Sequence, residues 1–163
     1  GTNTHLAGEL FKSITGTDIV HVPYKGAGAV LTDLMGNQVQ ALITSVPTAL
    51  PHIKSGKLKA LMVTGAERNA MLPDVPTAKE AGMPKMDMDY WIGIGAPAGT
   101  PQPVVDKLNK EFNAGLSSPE AKKKIAEMGL TVVASTPAQA TQLVNSEIQR
   151  WSAVLKQAGI KPD

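Results

Sequence analysis

Apolar positions along this chain fall into two rhythms, and the change between them divides it. Leu6, Leu10 and Ile14 recur at four-residue steps with Phe11 beside them, which predicts a helix over residues 4–15 stopped by Gly16. Residues 18–22 are β-rich and predict a strand. Val30, Leu31, Leu34 and Met35 share a face of a short helix over 29–35, ended by Gly36 and Asn37. Residues 39–43 predict a second strand. Pro47, a good first-turn residue, then opens a helix to about residue 55, closed by Gly56. A third strand over 58–63 ends at Thr64 and Gly65. Strands alternating with helices argue for an α/β fold of parallel βαβ units. In such sheets ligands bind off the carboxyl ends of the strands. Those ends, at 23–26, 44–45 and 64–65, are expected on one edge, beside the mouth of the first helix.

The second rhythm begins after a proline-punctuated loop over 72–77, a short helix to Ala81, and an apolar run over 86–94 that carries Tyr90 and Trp91. Residues 96–101 (APAGTP) break the chain and mark the crossing between two lobes. Beyond them the pattern is helical. Thr100, Ser118 and Thr136 each precede a proline, as caps before first-turn prolines do, and Thr136 has Gln139 at capping-box spacing. The first of these helices is expected to bury Val105, Leu108, Phe112 and Leu116, and the second Ala121, Ile125 and Met128. A strand over 130–134 follows. The last helix carries Ala140, Val144, Ile148, Trp151 and Leu155 on one stripe. No strand precedes the first helix, so the chain is expected to be the later part of a longer protein.

With 163 residues, 42% hydrophobic, the chain can bury a core, and disorder is not expected. Sixteen Lys and Arg against fourteen Asp and Glu are too balanced to argue for nucleic acid, which wants a clustered basic patch. Lys122, Lys123 and Lys124 fan around a helix as a solvated face. Absence of cysteine removes disulfides, zinc–thiolate sites and thiol nucleophiles. No stretch reaches the roughly 20 apolar residues of a membrane span.

Candidate chemistry concentrates at two helix mouths. Thr2, Asn3 and Thr4 open the first helix, where unpaired N–H groups and the helix dipole favour an anion. Plain N-capping is the alternative there. His5, just inside the helix, suits a structural hydrogen bond or a ligand contact equally. The second mouth follows Tyr24 and Lys25, where Gly26 and Gly28 permit positive φ and close backbone approach. Its spacing is neither a Walker loop nor GxGxxG. Thr44 and Ser45 end the second strand. An enzyme is the rival reading: an α/β enzyme acting on a small phosphorylated or carboxylated substrate. His5, His21 and His52 are too dispersed for a metal site, Ser45 lacks the GxSxG elbow, and Asp33, Asp74 and Glu80 have no partner evident in the sequence. His21 is expected to pack in the core. No cofactor, metal or catalytic residue is assigned.

The segments GTNTHLAGELF, DIVHVPYKGAGAVLTDLMGNQVQ, SVPTALPHIKSGKLKALMVT, LPDVPTAKEAGMP, YWIGIGAPAGTP and EIQRWSAVLKQAGIKPD together resemble the receptor family of tripartite tricarboxylate transporters, the Bug receptors. They run in family order across essentially the whole chain. The resemblance implies a periplasmic-binding-protein-like α/β fold. Residues 1–93 would be the second, parallel-rich lobe, and 94–163 the C-terminal portion of the first. It implies a periplasmic receptor that captures a small organic carboxylate (a di- or tricarboxylate, or an aromatic acid) for membrane transporter subunits. It also implies an N-terminal half and a signal peptide outside this chain, so that the missing segment or a second copy completes the fold. The family's ligand role falls on the loop at Gly1 to His5, the backbone around Gly26 and Ala27, and residues 44–45. Many members have an acidic residue where Thr44 stands. Its absence favours an acid without an amine.

Overall fold

The computed structural model describes residues 2–158 and divides the chain into two compact units. One comprises Gly1–Tyr90 with Val154–Asp163, the other Trp91–Ala153.

The first unit holds three helices: α1 (Asn3–Thr15), α2 (Ala27–Met35) and α3 (Val46–Lys54). Glycine ends α1 as expected: Gly16 sits in the left-handed region at φ 67° and donates to Lys12 O at 2.8 Å. Asn37, at φ 59°, plays the equivalent part after α2. The turn after α2 closes when Gln38 N donates to Asp33 O. In the core lie Ala7, Leu31, Leu50, Leu72, Ala78, Met86 and Met88, with Thr77 the single buried polar residue among those described.

The expected strands do not form among the described residues. Runs 18–22, 39–43, 58–63, 86–94 and 130–134 carry no ladder, and the pairing present is one parallel bridge, Val63 to Thr77. Several of their apolar side chains stand in solvent, Val20 and Val133 at 80% exposure. β-branched composition favours a pleated, half-buried surface, but a ladder needs a neighbouring strand in register. The α/β detail read from the sequence is therefore not confirmed by strand pairing among the described residues.

What does form is a knot of hydrogen bonds around residues 63–64. Val63 N donates to Pro76 O at 2.9 Å, and Ala78 N to Val63 O at 2.8 Å. On the other side Met88 N donates to Thr64 O at 3.0 Å, while the Thr64 hydroxyl donates to Met88 O at 2.7 Å. The proline loop is stapled from outside. Arg68 Nε contacts both Glu80 carboxylate oxygens, at 3.1 and 2.9 Å, and its Nη1 donates to Pro73 O. Glu80 also accepts from Thr77 N at 2.8 Å, while Glu80 N donates to the Thr77 hydroxyl, a reciprocal capping box. The box encloses one turn rather than the expected short helix. Glu80, without a partner in the sequence, is thus doubly held. Arg68 and then Thr77 hold its carboxyl down to about 2, well below the usual carboxylate range. A depressed carboxylate stabilises the fold above its ordinary value of 4.5 and loses that contribution as pH falls towards 2. Glu80→Gln keeps the capping geometry and removes the charge. Thermal melts are expected to separate wild type from variant at pH 7 and to converge below pH 3; a pH-independent difference would count against this role.

The second unit contains α4 (Gln102–Leu116), α5 (Pro119–Glu127) and most of α6 (Pro137–Ala158). Ser118 caps α5, accepting from Ala121 N, and the Thr136–Gln139 box closes in both directions, at 2.9 and 3.2 Å. Thr100 does not cap α4: Pro101 takes that position, and the Thr100 hydroxyl donates to Pro97 O. The inward face of α4 is partly polar, with Asn109 and Asn113 both donating to Ser135 O. None of the described residues of this unit is buried. Leu108, Phe112 and Leu116, expected in a core, are 36–44% exposed, and Val144 and Ile148 are exposed at 39% and 59%. Met128 is likewise exposed. The helical periodicity was legible, but among the described residues its stripes stay part-buried or exposed.

Candidate functional site

Within the first unit, the start of α1, the start of α3 and the bonded pair of residues 64 and 88 enclose a small hollow of about 40 Å³, open to solvent. Asn3, Thr4 and Ala7 line it from α1. Ile43, Thr44 and Ser45 come from the run into α3, and Thr64, Met88 and Tyr90 from the knot beyond. Both helices present their N-terminal ends here without a side-chain cap and without an acidic residue in the first turn. Their dipoles therefore favour negative charge at the hollow. Among its lining residues there is no carboxylate and no basic side chain.

Most hydroxyls around it are already engaged. Thr4 Oγ1 bonds Thr2 Oγ1 at 2.9 Å, Ser45 Oγ bonds Thr48 Oγ1 at 2.8 Å, and Asn3 Oδ1 accepts from Thr4 N. Thr64 gives its proton to Met88 O.

Of the residues singled out from the sequence, Asn3, Thr4, Thr44 and Ser45 meet at this hollow. Thr2 stands just outside, bonded to Thr4. His5 points elsewhere: its ring stacks on His21 with centroids 3.9 Å apart and planes 14° from parallel. His5 Nδ1 is buried without a partner, and Nε2 lies 3.9 Å from Glu9 Oε1. Burial, then the neighbouring His21, lowers the His5 pKa, so its neutral form is favoured. His21 itself is exposed rather than packed in the core.

Tyr24, Gly26 and Ala27 do not line the hollow. The Tyr24 hydroxyl donates to Asp33 Oδ2 at 2.7 Å, a bond that raises the Tyr24 pKa and gives Asp33 the partner the sequence did not reveal. Gly26 caps α2 in extended backbone at φ 179°, and Gly28 lies inside the helix; neither uses the left-handed region, and a Cβ at either meets nothing within 4 Å. Two of the three expected run ends, 44–45 and 64, therefore share the α1 mouth, and the third does not. Ala7, Ile43, Met88 and Tyr90 were not foreseen at the site. Tyr90 was visible as an aromatic in a β-rich run, but only the 64–88 bonds bring it here.

Among the described residues, no group of three or more His, Asp or Glu could hold a metal ion. A second, wider hollow lies beside Arg68, Lys79 and Glu80, where the Arg68–Glu80 pair is internally neutralised.

The family profile described as the tripartite tricarboxylate transporter family receptor matches residues 1–160. The chain belongs to this receptor family. Among its relatives is BugT of Bordetella pertussis, 38% identical over 161 residues, which cover 99% of this chain and 49% of BugT. Solved structures of the family superpose closely. R. palustris Rpa4515, solved with adipate, has a TM-score of 0.92 at 39% identity, over all of this chain and 55% of that one. MatC (Rpa3494) from Rhodopseudomonas palustris, solved with bound malate, has 0.83 at 33% identity, over 94% of this chain and 53% of that one. The receptor chain thus spans about half the length of these relatives, and its fold is that of periplasmic binding proteins of the family.

Proposed function

We propose that this chain is the ligand-holding part of a periplasmic receptor that captures a small organic carboxylate and delivers it to the membrane subunits of a tripartite transporter. One observation carries the reading: two uncapped helix N-termini, free of acidic residues in their first turns, converge on one hollow. The adipate and malate held by the two solved relatives support a dicarboxylate as the ligand class. Residues 1–93 are read as one lobe of an α/β binding protein and 94–163 as part of the other. Asn3, Thr4, Thr44 and Ser45 are assigned to the carboxylate. Thr2, His5, Tyr24, Gly26 and Ala27 stay as outer candidates within the same unit. With Thr44 where an acid would hold an ammonium group, the ligand is an acid without an amine. The enzyme alternative is weaker, because Ser45 is bonded to Thr48 and the hollow offers no base beside it.

Calorimetry and thermal shift on the full gene product carrying these residues test this. Adipate or another dicarboxylate is expected to raise the melting temperature; at a ligand concentration of a hundred times Kd the stabilisation is about 2.7 kcal/mol. Stabilisation by phosphate or a sugar, with no response to mono-, di- or tricarboxylates, would overturn the assignment.

A further inference from the structure

His5 and His21 form a pair that lies outside the hollow. His5 sits in the first turn of α1 and His21 in the run over 18–22, with the two rings face to face at 3.9 Å and 14° from parallel. We propose that this stack is an acid-operated latch: it holds the 18–22 run against the first turn of α1 while His5 is neutral, and it opens when His5 takes up a proton. The inference concerns the fold of the first unit and does not depend on the carboxylate reading.

The surroundings of His5 suit its neutral form. Nε2 lies 3.9 Å from Glu9 Oε1, whereas Nδ1 is buried with no hydrogen-bond partner among the described residues. A neutral imidazole has one N–H, which Nε2 carries towards Glu9, leaving Nδ1 bare. Protonation puts an N–H on Nδ1 as well, and a buried donor without an acceptor is costly. The ring has to swing towards water to satisfy it, and that swing breaks the stack. Neighbouring charges act in the same sense. His21 faces His5 from the 18–22 run and disfavours its charge, as do Lys12 from α1 itself and the chain's amino terminus. Glu9, also on α1, favours the charge, but Lys12 Nζ already pairs with Glu9 Oε1 at 3.1 Å. The first-turn position adds the positive end of the helix dipole. Burial and then His21 lead in lowering the His5 pKa, and neither needs a free amino terminus. No ladder holds the 18–22 run among the described residues, and Ile19, Val20 and Val22 are exposed, so loss of the stack weakens its hold on α1.

In the open form His5 returns to its ordinary value of 6.5, so the closed form binds fewer protons. The opening equilibrium is therefore expected to be flat above that value and to rise by up to about tenfold for each pH unit below it. Hydrogen exchange of the 18–22 amides, corrected for the intrinsic pH dependence of exchange, and proton NMR of the His5 ring test this on the full gene product between about pH 8 and pH 5. Protection of the run is expected to fall in step with the His5 titration. His5→Phe keeps a ring for the stack and cannot titrate, so its protection is expected to stay at the high-pH level throughout. His21→Phe keeps the stack and removes the facing charge, so the His5 titration and the loss of protection are expected to move together to higher pH. Protection that ignores pH in the wild type, or that falls equally in His5→Phe, overturns the latch. Should His5→Phe fail to fold, His21→Phe decides alone: a loss of protection that does not follow the His5 titration overturns it.

Discussion

Met86→Ala is expected to destabilise the first unit by about 2–5 kcal/mol, the range for truncating a buried methionine. Met86 has no exposure at all and is the largest fully buried side chain among the described residues. Seven apolar residues are buried among those described, and two of them are alanines, so little side-chain volume is available to close around the void. Domains of this kind have a total stability of about 5–15 kcal/mol, and such a loss would take a large part of it. Urea unfolding measures the change through the midpoint. Met86→Leu, close in volume, is expected to cost under about 1.5 kcal/mol. Equal effects of the two substitutions would show that the site tolerates neither shape and that cavity formation is not the cause. Met86 also stands two residues before Met88, which lines the hollow, so loosening it should reduce dicarboxylate affinity along with stability.

Local signals in the sequence were read well where their physics is local. Gly16 and Gly56 at positive φ, Asn37 after α2, and the Thr136–Gln139 box all depend on partners within a few positions, and each was placed from composition and spacing. The expected strands are not confirmed by a ladder among the described residues, and a ladder is a property of two segments that no single run specifies. Residues 18–22 have the composition of a strand, yet Val20 is 80% exposed. The same distinction separates the site residues. Thr44, Ser45 and the α1 mouth could be picked as run ends and helix starts. Tyr90 enters the site through bonds between residues 24 positions apart, and Glu80 meets Arg68 across twelve. Periodicity carries no information about such pairs. Tyr24 to Gly28 had the local form of an anion loop, but the Tyr24 hydroxyl is spent on Asp33 and the glycines do not adopt the conformation that made them suggestive.

On its own, the 163-residue chain is expected to self-associate through its second unit, and sedimentation velocity at micromolar concentration should give a species larger than a monomer. The reason is the uncovered stripe on α4. Val104, Leu108, Phe112 and Leu116 recur every four residues, so they share one face, and each is at least 36% exposed. Leu143, Val144 and Ile148 on α6, and Ile92 and Ile94 in the extended run, add to the apolar surface of the same unit. Fully burying one such side chain is worth about 1.5–3 kcal/mol, and contiguous exposed patches of this kind mark interaction surfaces. An adjacent face of α4, about 100° round the helix from the stripe, is already used, with Asn109 and Asn113 holding Ser135 O, so the stripe cannot be covered by rolling the helix without breaking those bonds. Leu108→Lys together with Phe112→Glu should return the chain to a monomer without loss of helix by circular dichroism, because both positions are exposed and leave the Asn109 and Asn113 bonds in place. A wild-type chain that sediments as a compact monomer would show that the stripe is not a docking face. Where the gene encodes further polypeptide, the same four side chains are expected to become protected from solvent in the full product and the association to disappear. The face that a second copy covers in the isolated chain is then the face that the additional polypeptide covers.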